Sequence, residues 1–314
     1  MDLGGSTIRL GAVTKDGKLG HFTKIEVPAG RNKEAIVSFI VNSIQDILLA
    51  EEKNGNKVLA AGIGSPGIIK LEKGVIVTSP NFPGWKNVPM KSLIEKSINI
   101  PVFLNNDANS AAYGEKWMGA GKRASSMICL TLGTGIGGGI VLDHKVWHGA
   151  QGMGGELGHI TVNPEGPLCN CGNYGCLESY SSATGMVRSA VELINAGKRT
   201  KLLKLSRSKK DNITAKMIFE AASEGDRLSI NILREAGKYL GIAIAGFINI
   251  LNPEMVVLTG EVTGAWDFFF PALKEEVHKR AYTAIIRHTK IVRGRLKGTA
   301  GTIGAAGLAW DKLT

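Results

Sequence analysis

The 314-residue sequence predicts an α/β protein built from two similar halves. Short apolar segments with strand character alternate with segments of helical periodicity along the chain. One plan also occurs twice, a glycine-rich turn beside strands, first at Asp2-Leu3-Gly4-Gly5-Ser6 and again at Gly133-Thr134-Gly135. We therefore expect a duplicated fold with a cleft between its halves.

The first half begins with the glycine turn and a strand, which a hairpin turn at Asp16-Gly17 ends. Isoleucines at helical spacing predict a helix over residues 33–52. Apolar strands are predicted over residues 57–63 and 102–104, and a helix begins near Asp107. Strand and helix thus alternate up to the second glycine turn.

The second half begins again with a strand over residues 126–132, directly before the second glycine turn. The later predicted elements are an apolar helix over 228–251, a strand over 255–258, an amphipathic helix over 268–282, a strand over 287–292 and a final helix over 303–310. The final helix is rich in small residues.

Composition narrows the classes of partner. The formal net charge is +11, and much of it lies in a basic run at residues 198–210 that contains no aromatic residue. Nucleic-acid binding favours aromatics among the basic residues, so we interpret the run as a solvated linker or helix face. The charge is also compatible with an anionic nucleotide substrate. Without an apolar stretch of about 18 residues or the features of a signal peptide, a cytoplasmic protein with no membrane partner is expected.

The densest group of reactive side chains lies between residues 156 and 178. Three of the four cysteines, Cys169, Cys171 and Cys176, fall within eight residues, and His159 stands ten positions before the first. One imidazole and three thiolates form a closed tetrahedral set for structural zinc. The alternatives are buried free thiols beside a surface histidine, or a disulfide, which the Cys-x-Cys spacing disfavours.

Both glycine turns offer backbone N–H groups that can hold phosphate oxygens. Neither matches the P-loop pattern, and a plain hairpin turn explains either one alone. Together with the carboxylate of Asp2 and the hydroxyls of Ser6 and Thr134, they favour a nucleotide clamp. Asp2 is expected to orient a hydrated Mg²⁺.

Asp107 follows a predicted strand and precedes a predicted helix. One interpretation is a helix N-cap, for which Asp is preferred. The other is a general base at the strand end, where ligands bind in open α/β sheets and where phosphoryl transfer needs a proton acceptor. Asn106, Glu156, His159 and Glu178 would then supply donors and acceptors for a polyhydroxylated substrate.

These motifs resemble the ROK family (repressors, open reading frames and kinases) over nearly the whole chain. The resemblance is carried by residues 2–6, 105–109 and 132–139, and most specifically by Glu156-Leu157-Gly158-His159 together with residues 169–178. It implies an actin-like, ribonuclease H-like duplicated fold with ATP in an interlobe cleft. The implied lobes are residues 1–118 with 298–314, and residues 119–297.

The resemblance also assigns roles by position. Asp107 is the implied catalytic base, and the implied zinc ligands are His159, Cys169, Cys171 and Cys176. The implied sugar contacts are Gly67, Asn81, Asn106, Asp107, Glu156, His159 and Glu178, with His159 using its second ring nitrogen. The implied nucleotide contacts are Asp2, Gly4, Gly5, Ser6, Gly133, Thr134, Gly135 and Gly260. A homodimer or homotetramer is also implied.

Three positions depart from the family pattern. A full strand precedes the first glycine turn in the family, whereas only Met1 does here, so either the start is truncated or the first lobe lacks an inner strand. Ser6 replaces the usual threonine but keeps the hydroxyl. The turn on the adenosine side reads Thr259-Gly260-Glu261, where consecutive glycines are usual.

The resulting expectation is an ATP-dependent hexose kinase that converts D-glucose to glucose 6-phosphate. Glucose is favoured over fructose because fructose-preferring relatives tend to replace part of the Cys-x-Cys set. N-acetylmannosamine and N-acetylglucosamine stay open as substrates, and so do ADP and polyphosphate as donors. A sugar-responsive repressor of the same family, without its DNA-binding domain, is the alternative of a different class.

Overall fold

The computed structural model describes residues 1–5, 7–27 and 32–314. Up to residue 117 the elements are β1 (Asp2–Leu3), β2 (Thr7–Val13), β3 (Leu19–Glu26), α1 (Lys33–Lys53), β4 (Ala61–Ser65), β5 (Ile68–Lys70), β6 (Val75–Thr78), β7 (Lys86–Val88), α2 (Met90–Ile98), β8 (Val102–Asn106) and α3 (Asp107–Trp117).

From residue 127 onward the strands and α-helices are β9 (Met127–Leu132), β10 (Ile136–Leu142), β11 (Lys145–Val146), α4 (Glu178–Ser181), α5 (Ala183–Asn195), α6 (Leu202–Leu205), α7 (Ala215–Ser223), α8 (Arg227–Leu251), β12 (Met255–Thr259), α9 (Trp266–Arg280), α10 (Thr283–Ile286), β13 (Lys290–Arg293) and α11 (Ala300–Trp310). Within the described ranges, none of the helices has the length and apolar character that crossing a membrane requires.

The chain forms two compact units. The first contains Met1–Cys129, Gly139–Gly155 and Gly294–Thr314, and the second contains Leu130–Gly138 and Glu156–Arg293. Compactness alone does not define a functional lobe, so the lobe boundaries implied by the resemblance stay a prediction.

The first sheet places the strand ends that matter for the site. Its strand order is β3-β2-β1-β4-β8, and β4 runs parallel to β8 in a register from Ala61↔Val102 to Ser65↔Asn106. The carboxyl ends of β4 and β8 therefore share one edge of the sheet. Since α3 begins directly after β8, its first residue, Asp107, lies at that edge.

Glycines allow α3 and α11 to pack closely in the first unit. A side chain at Gly114 would collide with the carbonyl oxygen of Ala300, and one at Gly304 would collide with that of Ser110. The two helix backbones thus approach to a distance that only glycine permits. The small residues of the final helix therefore allow it to pack closely on α3.

Strand β1 is short and borders a cavity. Among the described residues its pairing with β4 is limited to Asp2↔Gly64, and the amino group of Met1 donates to the carbonyl oxygen of Gly62 at 2.7 Å. A cavity of about 370 Å³ lies beyond this point, lined by parts of β2, β4, α1 and α11. The residues present supply a two-residue inner strand where the resemblance implies a full one.

A second sheet has the order β11-β10-β9-β12-β13, with β12 parallel to β13. The last strand begins at Lys290, later than the predicted residue 287, because residues 287–288 form a turn. In the second unit, Gly237 and Gly241 let the long helix α8 lie against the backbone of Phe269 and Leu273 in α9. The small antiparallel sheet β5-β6-β7 was not expected from the sequence.

Candidate active site and metal centre

Asp107 occupies the first position of α3, and Asn106 is its N-cap. The Asn106 side chain accepts hydrogen bonds from the backbone N–H groups of Ala108 and Asn109, at 2.9 and 3.1 Å. The Asp107 Oδ1 atom accepts from the N–H of Ala108 at 2.9 Å. The interpretation of Asp107 as the N-cap is therefore wrong, because the preceding asparagine has that role.

Glycines bring several predicted ligand contacts of the first unit together. A β-carbon at Gly5 would lie 2.8 Å from Cβ of Asn81, so the first glycine turn packs directly on this predicted sugar contact. Gly67 has a φ of +104° and lies against the backbone of Thr78 and Ser79, where a side chain would collide. The Gly5 turn and Gly67 therefore both pack on the segment of residues 78–81.

Ser79, in this segment, is a candidate ligand contact that the sequence analysis missed. The residue is 9 % exposed, and its Oγ has no hydrogen-bond partner among the described residues. Buried hydroxyl groups almost always have such a partner, so an unpaired one next to Gly67 marks a position for a polar ligand atom. Its position two residues before Asn81 was the signal available in the sequence.

Asp2 lies beside the first glycine turn and already has a cationic partner. Its Oδ2 is 3.2 Å from Nη1 of Arg9. Burial raises the pKa of Asp2, and the guanidinium of Arg9 opposes that rise. A β-carbon at Gly301, in the first turn of α11, would lie 2.8 Å from Cγ of Asp2. The Mg²⁺ contact predicted for Asp2 stays a prediction, and Ser6 lies outside the described residues.

The second glycine turn is fixed by its neighbours in the second unit. The N–H of Ala183 donates to the carbonyl oxygen of Gly133 at 2.9 Å, and Oγ1 of Thr184 donates to that of Thr134 at 2.8 Å. Gly260 has a φ of +98° and packs on the backbone of Leu132, directly before the turn. The predicted nucleotide contacts Gly133, Thr134 and Gly260 therefore lie close together.

Glu178 connects this turn to the cysteine cluster. Its Oε2 accepts from the N–H of Ile136 at 2.8 Å and packs on Gly135, where a side chain would collide with it. Its Oε1 lies 3.9 Å from Sγ of Cys169. One carboxylate thus contacts both the second glycine turn and a predicted metal ligand.

The four predicted metal ligands converge on one point. The ligand atoms of His159, Cys169, Cys171 and Cys176 all lie within 4.8 Å of one another. The distance from Cys169 Sγ to His159 Nδ1 is 3.7 Å, and that from Cys171 Sγ to Cys176 Sγ is 3.6 Å. Tetrahedral zinc with ordinary bond lengths would separate a nitrogen and a sulfur by about 3.6 Å and two sulfurs by about 3.8 Å. The donor set therefore fits zinc in chemistry and in size.

Two turns fold the cysteines inward. Gly172 and Gly175 have φ values of +92° and +65°, which favour glycine, and the N–H of Cys169 donates to the carbonyl oxygen of Asn173 at 2.8 Å. A disulfide would need the sulfurs about 2.05 Å apart, so the Cys171–Cys176 distance contradicts that alternative.

The thiols of Cys171 and Cys176 differ in acidity. Burial, followed by hydrogen bonds with Cys171 and Cys169, raises the pKa of Cys176 to about 12. Burial also acts against ionisation of Cys171, but hydrogen bonds from the Asn173 backbone and the other two thiols lower its pKa overall. Three thiolates this close repel one another, so a bound cation is what would let all three ionise.

The imidazole of His159 has two different neighbours. Its Nδ1 faces Cys169, and its Nε2 lies 4.0 Å from Oε2 of Glu156. His159 ends the short 3₁₀ helix Leu157–His159, where the close packing of Gly158 on Ile136 sets the position of the ring. A ring held this way can bind a metal through Nδ1 and present Nε2 to a second ligand.

The predicted sugar contacts are divided between the units. Gly67, Asn81, Asn106 and Asp107 belong to the first unit, and Glu156, His159 and Glu178 belong to the second.

Comparison with known proteins finds glucokinases and a xylose repressor among the similar sequences and structures. A glucokinase of Thermotoga maritima is 38% identical over 313 residues, which are 100% of this chain and 97% of the relative. A xylose repressor of Caldicellulosiruptor bescii is 34% identical over 88% of this chain and 68% of its own length. The crystal structure of a ROK family glucokinase from Streptomyces griseus in complex with glucose and AMPPNP is 33% identical, covers 99% of this chain and 98% of that one, and has a TM-score of 0.84.

Residues 1–312 match the ROK family as a whole. The α/β fold expected from the sequence is confirmed by the Streptomyces griseus structure. With a match over nearly its entire length and relatives above 30% identity, the chain belongs to the ROK family.

Proposed function

We propose that the protein transfers the γ-phosphoryl group of ATP to the 6-hydroxyl group of D-glucose. The observation that carries the proposal is the position of Glu178, which contacts the amide after the glycine turn and lies 3.9 Å from Cys169 of the metal cluster. A residue so placed would join the turn proposed to bind phosphate to the loop proposed to bind the sugar. Similarity to a glucokinase solved with glucose and AMPPNP supports the same substrates.

Asp107 would act as the general base. Its carboxylate takes the proton of the sugar hydroxyl while that oxygen forms a bond to the γ-phosphorus. The bond between the γ-phosphorus and the bridging oxygen breaks, and ADP leaves. The position of Asp107 at the carboxyl end of β8, in the first turn of α3, suits a group that must be held rigidly.

The remaining side chains would bind and orient. Asn81, Asn106, Glu156, His159 and Glu178 would pair with the sugar hydroxyls, and Ser79 adds a buried hydroxyl next to Gly67. The amides of the Gly4-Gly5 and Gly133-Thr134-Gly135 turns, together with Gly260, would hold the nucleotide. Mg²⁺, oriented by Asp2, would neutralise charge on the phosphates when bound.

Zinc would have a structural role. His159, Cys169, Cys171 and Cys176 fill all four positions of a tetrahedral ion, which leaves none for a reactive water. The ion would fix the loop that carries His159 and Glu178, and so preorganise the sugar contacts.

A sugar-binding regulator is the second candidate, and the similarity to a xylose repressor favours it. Such a protein would bind the sugar without consuming ATP. N-acetylhexosamines and fructose are the alternative sugars, and ADP and polyphosphate are the alternative phosphoryl donors.

The decisive experiment is a coupled assay of ADP release over a panel of hexoses and N-acetylhexosamines, with polyphosphate and ADP tested as donors through product detection. The proposal expects the highest kcat/KM with glucose and ATP. Sugar binding by calorimetry without any phosphorylated product would favour the regulator instead. We further propose a homodimer or homotetramer, which light scattering during gel filtration tests.

A further inference from the structure

His148 contacts the strand end that carries Asp107. Its Nε2 lies 3.0 Å from Nδ2 and 3.2 Å from Oδ1 of Asn105, a buried residue near the end of β8. The segment of His148 follows β11 and is fixed by its backbone, since the N–H of Gly154 donates to the His148 carbonyl oxygen at 2.8 Å. Both residues belong to the first unit.

The direction of the hydrogen bonds follows from the Asn105 amide. Its Oδ1 accepts from the N–H of Asn106 at 2.9 Å. The Nδ2–H group of Asn105 is therefore the one that meets the histidine, and it needs an acceptor there. Because Nε2 then accepts, the proton of the neutral ring lies on Nδ1. The arrangement selects a neutral ring with Nδ1 protonated and Nε2 accepting.

This chain of contacts leads to Asp107. Asn105 binds the amide of Asn106, and the Asn106 side chain caps α3 through Ala108 and Asn109. Asp107 directly follows the cap as the first residue of α3. If the Asn105 amide changed its orientation, the N–H of Asn106 would lose its hydrogen bond to Oδ1, and Asn106 directly precedes Asp107.

We propose that His148 is a positioning residue for phosphoryl transfer, because its neutral ring holds the Asn105 amide in the one orientation that binds Asn106 and so fixes Asp107. This inference rests on the proposed role of Asp107 as the general base. It requires no contact between His148 and a substrate.

Protonation of the ring would disturb this arrangement. An imidazolium donates from both nitrogens, so its Nε2–H would face the Nδ2–H donor of Asn105, and the amide would have to turn its oxygen away from Asn106 to accept it. Burial and the charge of Lys312 lower the pKa of His148, while the carbonyl of Val146 opposes them. Since the pKa is lowered, the ring is neutral above the ordinary histidine range, and positioning is lost only as the pH falls below it.

The test compares His148→Leu, which has no acceptor, with His148→Gln, which offers an uncharged acceptor that does not titrate. We expect His148→Leu to lower kcat about 10- to 100-fold, since small displacements of a catalytic group cost this much. The KM values for glucose and ATP should change little. His148→Gln should keep most of kcat and lose the acidic decline of kcat that comes from His148. His21 of β3, which is exposed and lies in the same unit, is the matched control when changed to Leu.

Full kcat in His148→Leu, or an equal loss in both variants, would overturn the inference. Nitrogen NMR of the histidine ring gives a second readout, independent of activity. It should show the Nδ1–H form in the wild type, and Asn105→Asp should raise the pKa of His148, because a carboxylate stabilises the imidazolium. A different tautomer, or an unchanged pKa, would refute the network even in an active enzyme. An intact network in a protein that phosphorylates no sugar would instead count against the proposed function.

Discussion

Side chains of the candidate site are held by contacts with more than one group. His159 faces Cys169 through one ring nitrogen and Glu156 through the other, and Glu178 contacts both the Ile136 amide and the Cys169 sulfur. Two contacts on one side chain restrict it to a single rotamer. The entropy of ordering is then lost on folding and need not be lost again when a substrate binds.

Asp107→Asn is expected to lower kcat about 10²- to 10⁴-fold, because the amide keeps the shape but cannot accept the proton. Glucose affinity, measured by calorimetry, should change far less. Steady-state kinetics provide the measurement, and Asp143→Asn, in an exposed turn of the same unit, is the control. Near-normal turnover would refute the assignment of Asp107 as base.

Cys171→Ser is expected to remove most of the zinc, which elemental analysis should find at about one ion per wild-type chain. The melting temperature should fall with the metal, because the loop loses the ion that joins its ends. Cys129→Ala is the control, since Cys129 is buried away from the cluster and should leave the zinc content unchanged. Wild-type protein purified without chelator and free of zinc would contradict the four-ligand centre.

Among the elements, α3 is fixed at its end by a buried carboxylate. Glu115 is 0% exposed and accepts hydrogen bonds from the backbone N–H groups of Ala120, Arg295 and Leu296, at 2.8, 3.0 and 2.9 Å. One side chain thereby joins the end of α3 to the loop after it and to the segment before α11. Because α3 begins at Asp107, this carboxylate also stabilises the helix that carries the proposed base.

Glu115→Gln is expected to lower the free energy of unfolding by about 2–3 kcal/mol, since an amide replaces charged hydrogen bonds and turns a donor toward backbone donors. Urea titration measures the change. Glu192→Gln on α5, whose side chain is 64% exposed, should change the free energy by less than about 0.5 kcal/mol. Equal effects of the two substitutions would show that the Glu115 contacts contribute nothing.

At the scale of the whole molecule, the net charge of +11 would attract an anionic substrate such as the proposed ATP, but not neutral glucose. We expect kcat/KM for ATP to fall severalfold between about 0.05 and 0.5 M salt, because screening weakens long-range attraction. The KM for neutral glucose should stay nearly constant and is the internal control. If kcat/KM for ATP did not depend on the salt concentration, the basic residues would not attract the nucleotide.

Periodic segments were predicted well, and irregular ones were not. The helices at residues 33–52 and 228–251 appear almost unchanged as α1 and α8, since each presents a continuous apolar face. The predicted strand over residues 57–63 begins only at Ala61 as β4, and the helices between α4 and α8 were not expected. Elements as short as α6, with four residues, lack enough periodic residues to be distinguished from loops, whereas the 13-residue helix α5 was simply missed.

The sequence by itself determined the family and the α/β class, because several spaced motifs occur together along one chain. It also predicted the metal ligands, because closely spaced cysteines with a nearby histidine are typical of a zinc site. Only the tertiary structure decided which side chains meet over long sequence distances. The contacts of Glu178 with Ile136, of His148 with Asn105 and of Glu115 with Arg295 join residues 42, 43 and 180 positions apart. Such contacts arise from packing of separate elements, and local sequence pattern contains no information about them.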